Sequence, residues 1–229
     1  MPYLFMDYYY IILVIPAMII AAWAQIKVKS TYSKFSKVEN ARRITGAYAA
    51  QAILSHYGIT DVRIEQISGK LTDHYDPKAK VIRLSEGVYN STSIAAVGIA
   101  CHEAGHAAQH AEAYKPIKIR NSLVPVCNIG SYLGIPLALL GYFLGFEPLI
   151  SVGLLLYAAI FVFQLVTLPV EFNASRRAIN CISERDLLAD DEVSKAKKVL
   201  SAAAMTYVAS MIVALANLLR LILRFRSRD

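Results

Sequence analysis

Four stretches of this chain are long and apolar enough to cross a lipid bilayer, and no other feature constrains its fold as much. Residues 3–24, 123–146, 149–170 and 200–223 each reach about the 20 apolar residues that a helical crossing needs. Hydrophobic residues make up 56% of the 229 and charged ones only 18%, where a soluble domain carries about 45–50% and 25%. Such an excess does not fit inside one compact core, so the chain reads as a mainly α integral membrane protein with a modest polar region. With 11 Gly, 8 Pro and 3 Cys, a collagen-like, disordered or disulfide-built chain is excluded.

The first segment is interrupted only by Asp7. It opens on aromatics (Tyr3, Phe5, Tyr8, Tyr9, Tyr10) and ends near Trp23, the pattern of an interfacial belt. Its positive charge, Lys27 and Lys29, follows the apolar stretch, the reverse of a cleaved leader, so it is expected to remain as an anchor. The second and third segments form a hairpin joined by Glu147-Pro148. Within it Gly130/Gly134 and Gly141/Gly145 repeat the spacing that lets membrane helices approach closely. The fourth is rich in Ala and holds Asn217 and Arg220; it either spans or packs part-way beside the others.

The net charge of +7 is unevenly placed: residues 25–121 carry 14 Lys/Arg against 8 Asp/Glu, and the last ten carry 4 Arg against 1 Asp. Basic residues crowd the ends of apolar segments, as in cytoplasmic loops, and no nucleic-acid fingerprint accompanies them. The bilayer, not nucleic acid, is the expected partner. The positive-inside rule places 25–121 and 171–199 in the cytoplasm, which leaves the basic tail outside, against the rule, if the fourth segment spans. Cys101, Cys127 and Cys181 form no CxxC and read as reduced thiols. The expected organisation is an anchor (1–24), a cytoplasmic α+β region (25–121), a transmembrane hairpin (122–170), a cytoplasmic helix and loop (171–199) and a C-terminal apolar helix with its tail (200–229), forming one functional domain.

Within the polar region, residues 38–57 have the apolar spacing of an amphipathic helix ended by Gly58. Short alternating runs at 62–67 and 81–84 read as strands, with 71–75 as a third and Asp76-Pro77 as a turn. Asn90 and Ser91 then offer a cap to a helix over about 92–114.

That helix carries His102-Glu103-Ala104-Gly105-His106, an HExxH motif. Residues four apart share a helix face, so both imidazoles can point at one ion. Glu103, beside the first ligand, can reach a water held by that ion. Small neighbours (Ala100, Ala104, Gly105, Ala107, Ala108) allow close packing around it. Two imidazoles and an oxygen ligand suit Zn2+ in hydrolytic chemistry.

A zinc hydrolase needs a third protein ligand and one open position. His110 lies about 6 Å along the axis from His106 and about 12 Å from His102, too far for one small ion. His56 and His74 serve only if their loops fold back. Glu171, at the end of the third apolar segment, is the best candidate, because it completes a His-His-Glu set of the thermolysin type. Ser175, one helical turn later, is placed to support the site.

The stretches Leu71-Thr72-Asp73-His74-Tyr75-Asp76-Pro77, Arg83-Leu84-Ser85, Tyr89-Asn90-Ser91 and Ser93-Ile94-Ala95-Ala96-Val97-Gly98, followed by HExxH, resemble the bacterial YugP-type family of membrane-bound neutral zinc metallopeptidases. Leu168-Pro169-Val170-Glu171-Phe172-Asn173-Ala174-Ser175-Arg176-Arg177-Ala178 resembles the family's second motif. By analogy with membrane gluzincins of the HtpX and CAAX-processing type, the resemblance implies a small zincin-like α+β domain, His102, His106 and Glu171 as zinc ligands and Glu103 as catalytic base. It also suggests a bacterial source; with the four apolar segments and the positive-inside rule, the expectation is a multi-pass cell-membrane protein with its site on the cytoplasmic side. Those relatives usually show Glu-x-x-x-Asp; here Ser175 stands at the Asp position, which leaves Asn173 or Asp73 as other orienters of the histidines.

The expected function is a membrane-embedded zinc endopeptidase acting on membrane-associated or misfolded proteins. Arg176 and His74 are candidates for steadying the oxyanion, and strand 71–75 or 81–84 for pairing with an extended substrate. The alternative is a non-catalytic membrane scaffold with a structural or vestigial zinc. No Walker A sequence is present for an ATP-driven protease, and spans nearly free of ionisable residues argue against a transporter.

Overall fold

The structure, a computed structural model, describes residues 7–226 and is mainly helical. Tyr3, Phe5 and Arg228 lie outside the described residues. A π-helical turn, Tyr10–Val14, leads into α1 (Ile15–Phe35). Then follow α2 (Gly46–His56), β1 (Arg63–Ile67), β2 (His74–Asp76), β3 (Val81–Ser85), α3 (Glu86–Tyr89) and α4 (Ile94–Ala111). Three long helices close the chain: α5 (Lys115–Leu144), α6 (Glu147–Glu184) and α7 (Asp190–Arg226).

Among the described residues, four helices are long and apolar enough to cross a membrane: Tyr10–Phe35, Lys115–Leu144, Glu147–Glu184 and Asp190–Phe225. The fourth apolar segment is therefore part of one unbroken helix, as long as the others. The residues fall into two compact units. One comprises Met1–Gln25, Lys118–Pro169 and Thr206–Asp229; the other comprises Ile26–Ile117 and Val170–Met205.

The first unit is apolar on its outside, with Tyr132 79% and Leu155 74% exposed. Its helices meet through backbone. A Cβ on Gly130 would run into the Leu156 carbonyl, and one on Gly141 would stand 2.7 Å from the Ile150 nitrogen. Gly145 has a different task from the packing expected of it. It holds φ +66 with nothing near its missing side chain, and Phe146 N–H donates to Gly141 O at 2.9 Å. The hairpin thus turns at Gly145-Phe146. Glu147 and Pro148 instead form the first turn of α6, where proline's missing N–H costs nothing.

Asp7 and Arg220, each a lone charge in an apolar segment, meet in this unit. Arg220 Nε and Nη2 donate to Asp7 Oδ2 at 3.1 and 3.0 Å, and Asp7 Oδ1 accepts from Tyr10 N–H at 2.8 Å. The guanidinium also lies 4.9 Å from the Tyr10 ring centroid. Asn217 is satisfied within its own helix, donating to Val213 O at 3.0 Å.

The second unit packs α2, the sheet and α4 around Ile53, Leu54, Ile82, Leu84, Ile94, Val97 and Ile182, all fully buried. The helix expected from residue 38 begins eight residues later. Asn40 takes the backbone of Ile44 and Thr92 as its partners, and Glu192 accepts from Ala41 N–H, so the chain there is held as an ordered loop. Thr45 then caps α2 by accepting from Tyr48 N–H. The sheet has order β1-β3-β2, with β3 parallel to β1 and antiparallel to β2. All three expected strands are present, and the 71–75 run pairs only from His74 onward. Cys101, Cys127 and Cys181 are all unpaired thiols.

Candidate metal centre

Ser93, rather than Asn90 or Ser91, caps α4: its side chain accepts from Ala96 N–H at 3.1 Å. The helix ends when Ala113 turns left-handed (φ 54) and Tyr114 N–H donates back to Gln109 O. Between these stops α4 buries Ala100, Ala104, Gly105, Ala107 and Ala108. Gly105 is required here, because a Cβ on it would stand 2.7 Å from the Ala174 carbonyl oxygen of α6. That close approach sets the HExxH face of α4 against the turn of α6 holding Glu171 and Ser175.

The result is a cluster in which one ligand atom from each of His102, His106 and Glu171 lies within 4.8 Å of the others. Glu171 Oε2 is 3.3 Å from His102 Nε2 and 3.6 Å from His106 Nε2. The two rings stand edge to face, with centroids 4.7 Å apart. The Glu171 side chain is only 4% exposed, the histidines 14% and 13%.

Behind His106 a chain of hydrogen bonds assigns its proton. Arg177 can only donate, and its Nε gives a bond to Asn173 Oδ1 at 2.8 Å. That oxygen accepts a second bond from Gln109 Nε2 at 3.0 Å, and Gln109 Nε2 also donates to Val170 O at 2.7 Å. The amide is thereby fixed with Oε1 facing His106 Nδ1 at 3.0 Å, so this ring nitrogen carries the proton. The neutral His106 ring then turns its Nε2 lone pair toward Glu171. Ser175 Oγ lies 3.1 Å from His102 Nδ1 and holds that ring in place, a contact that a hydroxyl makes as donor or acceptor alike.

Two acceptors facing each other across such a gap need a cation between them. A proton is one answer. Burial works against charge on His106, but hydrogen bonds and charges from Glu171 and Glu103 outweigh it and raise its pKa above the ordinary 6.5. A divalent ion is the other. Ligand atoms on a tetrahedral zinc with bonds of ~2.0–2.1 Å stand about 3.3 Å apart, which matches the separations of 3.3 and 3.6 Å. The donor set, two imidazole nitrogens and a carboxylate, suits zinc, so the residues present fit such an ion.

The other candidates lie elsewhere. His56 contacts Glu184 and Arg185, and His74 contacts the Thr72 carbonyl and Arg83. His110 packs on Tyr75, with ring centroids 5.5 Å apart. Asp73 does not orient a histidine; its carboxylate accepts from the Ser85 N–H and hydroxyl. Asn173 acts only through Gln109. Neither oxyanion candidate joins the cluster, since His74 is engaged with Arg83 and Arg176 faces outward from α6. Gln109 is the residue of this cluster's surroundings that the sequence alone did not single out. Its signal was local: it lies three residues after His106, on the same helix face.

The chain thus combines four helices long and apolar enough to span a membrane with a cluster, His102 and His106 from α4 and Glu171 from α6, that could hold a metal ion. The chain belongs to the family described as "Putative neutral zinc metallopeptidase", whose model matches residues 10–226. It is 47% identical over 216 residues to "Putative membrane protease YugP" of Bacillus subtilis (strain 168), covering 94% of this chain and 96% of that relative. No solved structure matches it significantly.

Proposed function

We propose that this protein is a multi-pass zinc endopeptidase that cleaves membrane-associated or misfolded proteins. The observation that carries the reading is the convergence of His102, His106 and Glu171 within 4.8 Å, with Glu103 next to the first histidine. His102 Nε2, His106 Nε2 and a Glu171 oxygen would hold the ion. When bound there, zinc would supply a water of pKa about 7 and polarise a carbonyl. Glu103, half-buried on α4, accepts the proton of the attacking water at its carboxylate and passes it to the leaving amine. Gln109 keeps His106 in the tautomer that ligation needs, and Ser175 holds the His102 ring in place.

Of the two strands considered for substrate pairing, β3 is bonded on both sides. Among the described residues β2 pairs only with β3, so of these two strands it is the one with an outer edge for an extended peptide. The abundance of Lys and Arg in residues 25–121 supports a cytoplasmic site in a bacterial cell membrane.

The test is zinc content and casein hydrolysis of the detergent-purified protein beside Glu103→Gln. The variant should keep one zinc per chain and lose turnover by about 10²–10⁴-fold. Undiminished hydrolysis would remove the proposed base. Zinc held by four protein ligands would instead favour a structural site.

A further inference from the structure

Beside the metal cluster, the second unit holds another concavity, of about 440 Å³, between α6 and α7. This is within the ~300–1,000 Å³ range of ligand pockets, and of its lining the chemistry proposed above uses only Ser175. Its walls are apolar, built by Phe172, Ile179, Leu200 and Met205, and no Asp or Glu lines it. Phe172 and Met205 remain exposed, at 49% and 36%. Two cations, Arg176 and Lys197, border the same cleft. Both are exposed, and neither has an ion-pair partner among the described residues.

We propose that this cleft binds an anionic phospholipid, with an acyl chain along the apolar wall and the phosphate between Arg176 and Lys197. An apolar trough bordered by unpaired cations matches a molecule with both characters, one long hydrocarbon arm and one negative head. The placement of the cations along their helices agrees. On α6 the apolar run 149–170 gives way to Arg176 and Arg177, and on α7 Lys195, Lys197 and Lys198 precede the apolar run that starts at Leu200. On both helices the positive charge therefore stands at the end of a bilayer-length apolar stretch, where headgroups lie. Ser175 lines the cleft and also holds His102, so a bound lipid touches the residue that orients a proposed metal ligand.

The test uses the full chain in neutral detergent with mixed micelles of phosphatidylglycerol or phosphatidylcholine, and native mass spectrometry to count retained lipid. Wild type should retain the anionic lipid preferentially. Arg176→Gln with Lys197→Gln should weaken that retention about 25-fold, on the order of fivefold for each cation. Both positions are exposed, so this variant keeps its fold. Ala204→Phe, which fills the cleft, should reduce retention of both lipids, and Lys27→Gln with Lys29→Gln should change neither. Undiminished phosphatidylglycerol retention in the Arg176/Lys197 variant, or an equal loss in the Lys27/Lys29 variant, would overturn the proposal. So would binding of a soluble acidic, apolar peptide that the Arg176/Lys197 variant loses while its lipid retention persists.

Discussion

Asp7 in the apolar unit and Glu171 in the polar unit are both carboxylates taken out of water, 5% and 4% exposed at the side chain, yet they are compensated differently. Asp7 meets a guanidinium through two donors, so its charge is fully answered by the chain itself. Glu171 meets two imidazoles, one with its proton pinned on the far nitrogen by Gln109 and the other bonded there to Ser175. An imidazole carries charge only when protonated, so what these two rings give Glu171 changes with pH and with a bound metal ion. A closed pair is a structural device; a carboxylate surrounded by conditional cations is a binding device.

The comparison breaks most readily at the closed pair. Arg220→Met strands a buried carboxylate and should cost about 3–5 kcal/mol of stability, read by denaturant unfolding in detergent, with zinc content unchanged. Asp7→Leu added to it should recover most of that loss. Equal unfolding midpoints for Arg220→Met and wild type would show that the pair is not closed.

Glu171→Ala should do the reverse. At pH 8 it should leave the metal-free protein within ~1 kcal/mol of wild type while lowering zinc affinity by about two to three orders of magnitude. That follows from sharing the ~10–16 kcal/mol of a structural zinc site among four ligands. Competition with a fluorescent chelator measures it. Gln109→Leu should have a smaller effect, about 10–100-fold weaker zinc, because His106 keeps its place but loses its tautomer lock.

The smallest effect is that of pH. The raised His106 pKa means that protons compete with metal from above the ordinary 6.5 downward. Zinc affinity should fall by up to about tenfold per unit on acidification through that range. The stability of the metal-free protein has the opposite sign. A raised histidine pKa adds stability that is complete below about 6.5 and is lost as pH rises through the folded value. Parallel titrations of affinity and unfolding between pH 5.5 and 8.5 check both signs.

These contrasts also explain how much could be read from the sequence. His102 and His106 share a face because of a local period, and the chemistry of a third ligand singled out Glu171 before its distance was known. The four apolar helices were legible from length alone. Other features depended on contacts that no local pattern encodes. Asp7 and Arg220 are 213 residues apart and each read alone as an intruder in an apolar segment. The late start of α2 follows from Asn40 bonding to Thr92, across 52 residues. Gln109 was legible in principle, three residues from His106, but a neutral amide in a helix draws no attention until Asn173 and Arg177 are seen to fix its orientation.

The most direct test of the central claim is the zinc anomalous signal in crystals of the metal-loaded protein, with metal content measured alongside for Glu171→Ala. The account predicts one peak per chain, bounded by His102 Nε2, His106 Nε2 and a Glu171 oxygen, and little zinc in the variant. A peak elsewhere, or full zinc occupancy after Glu171 is removed, would contradict it.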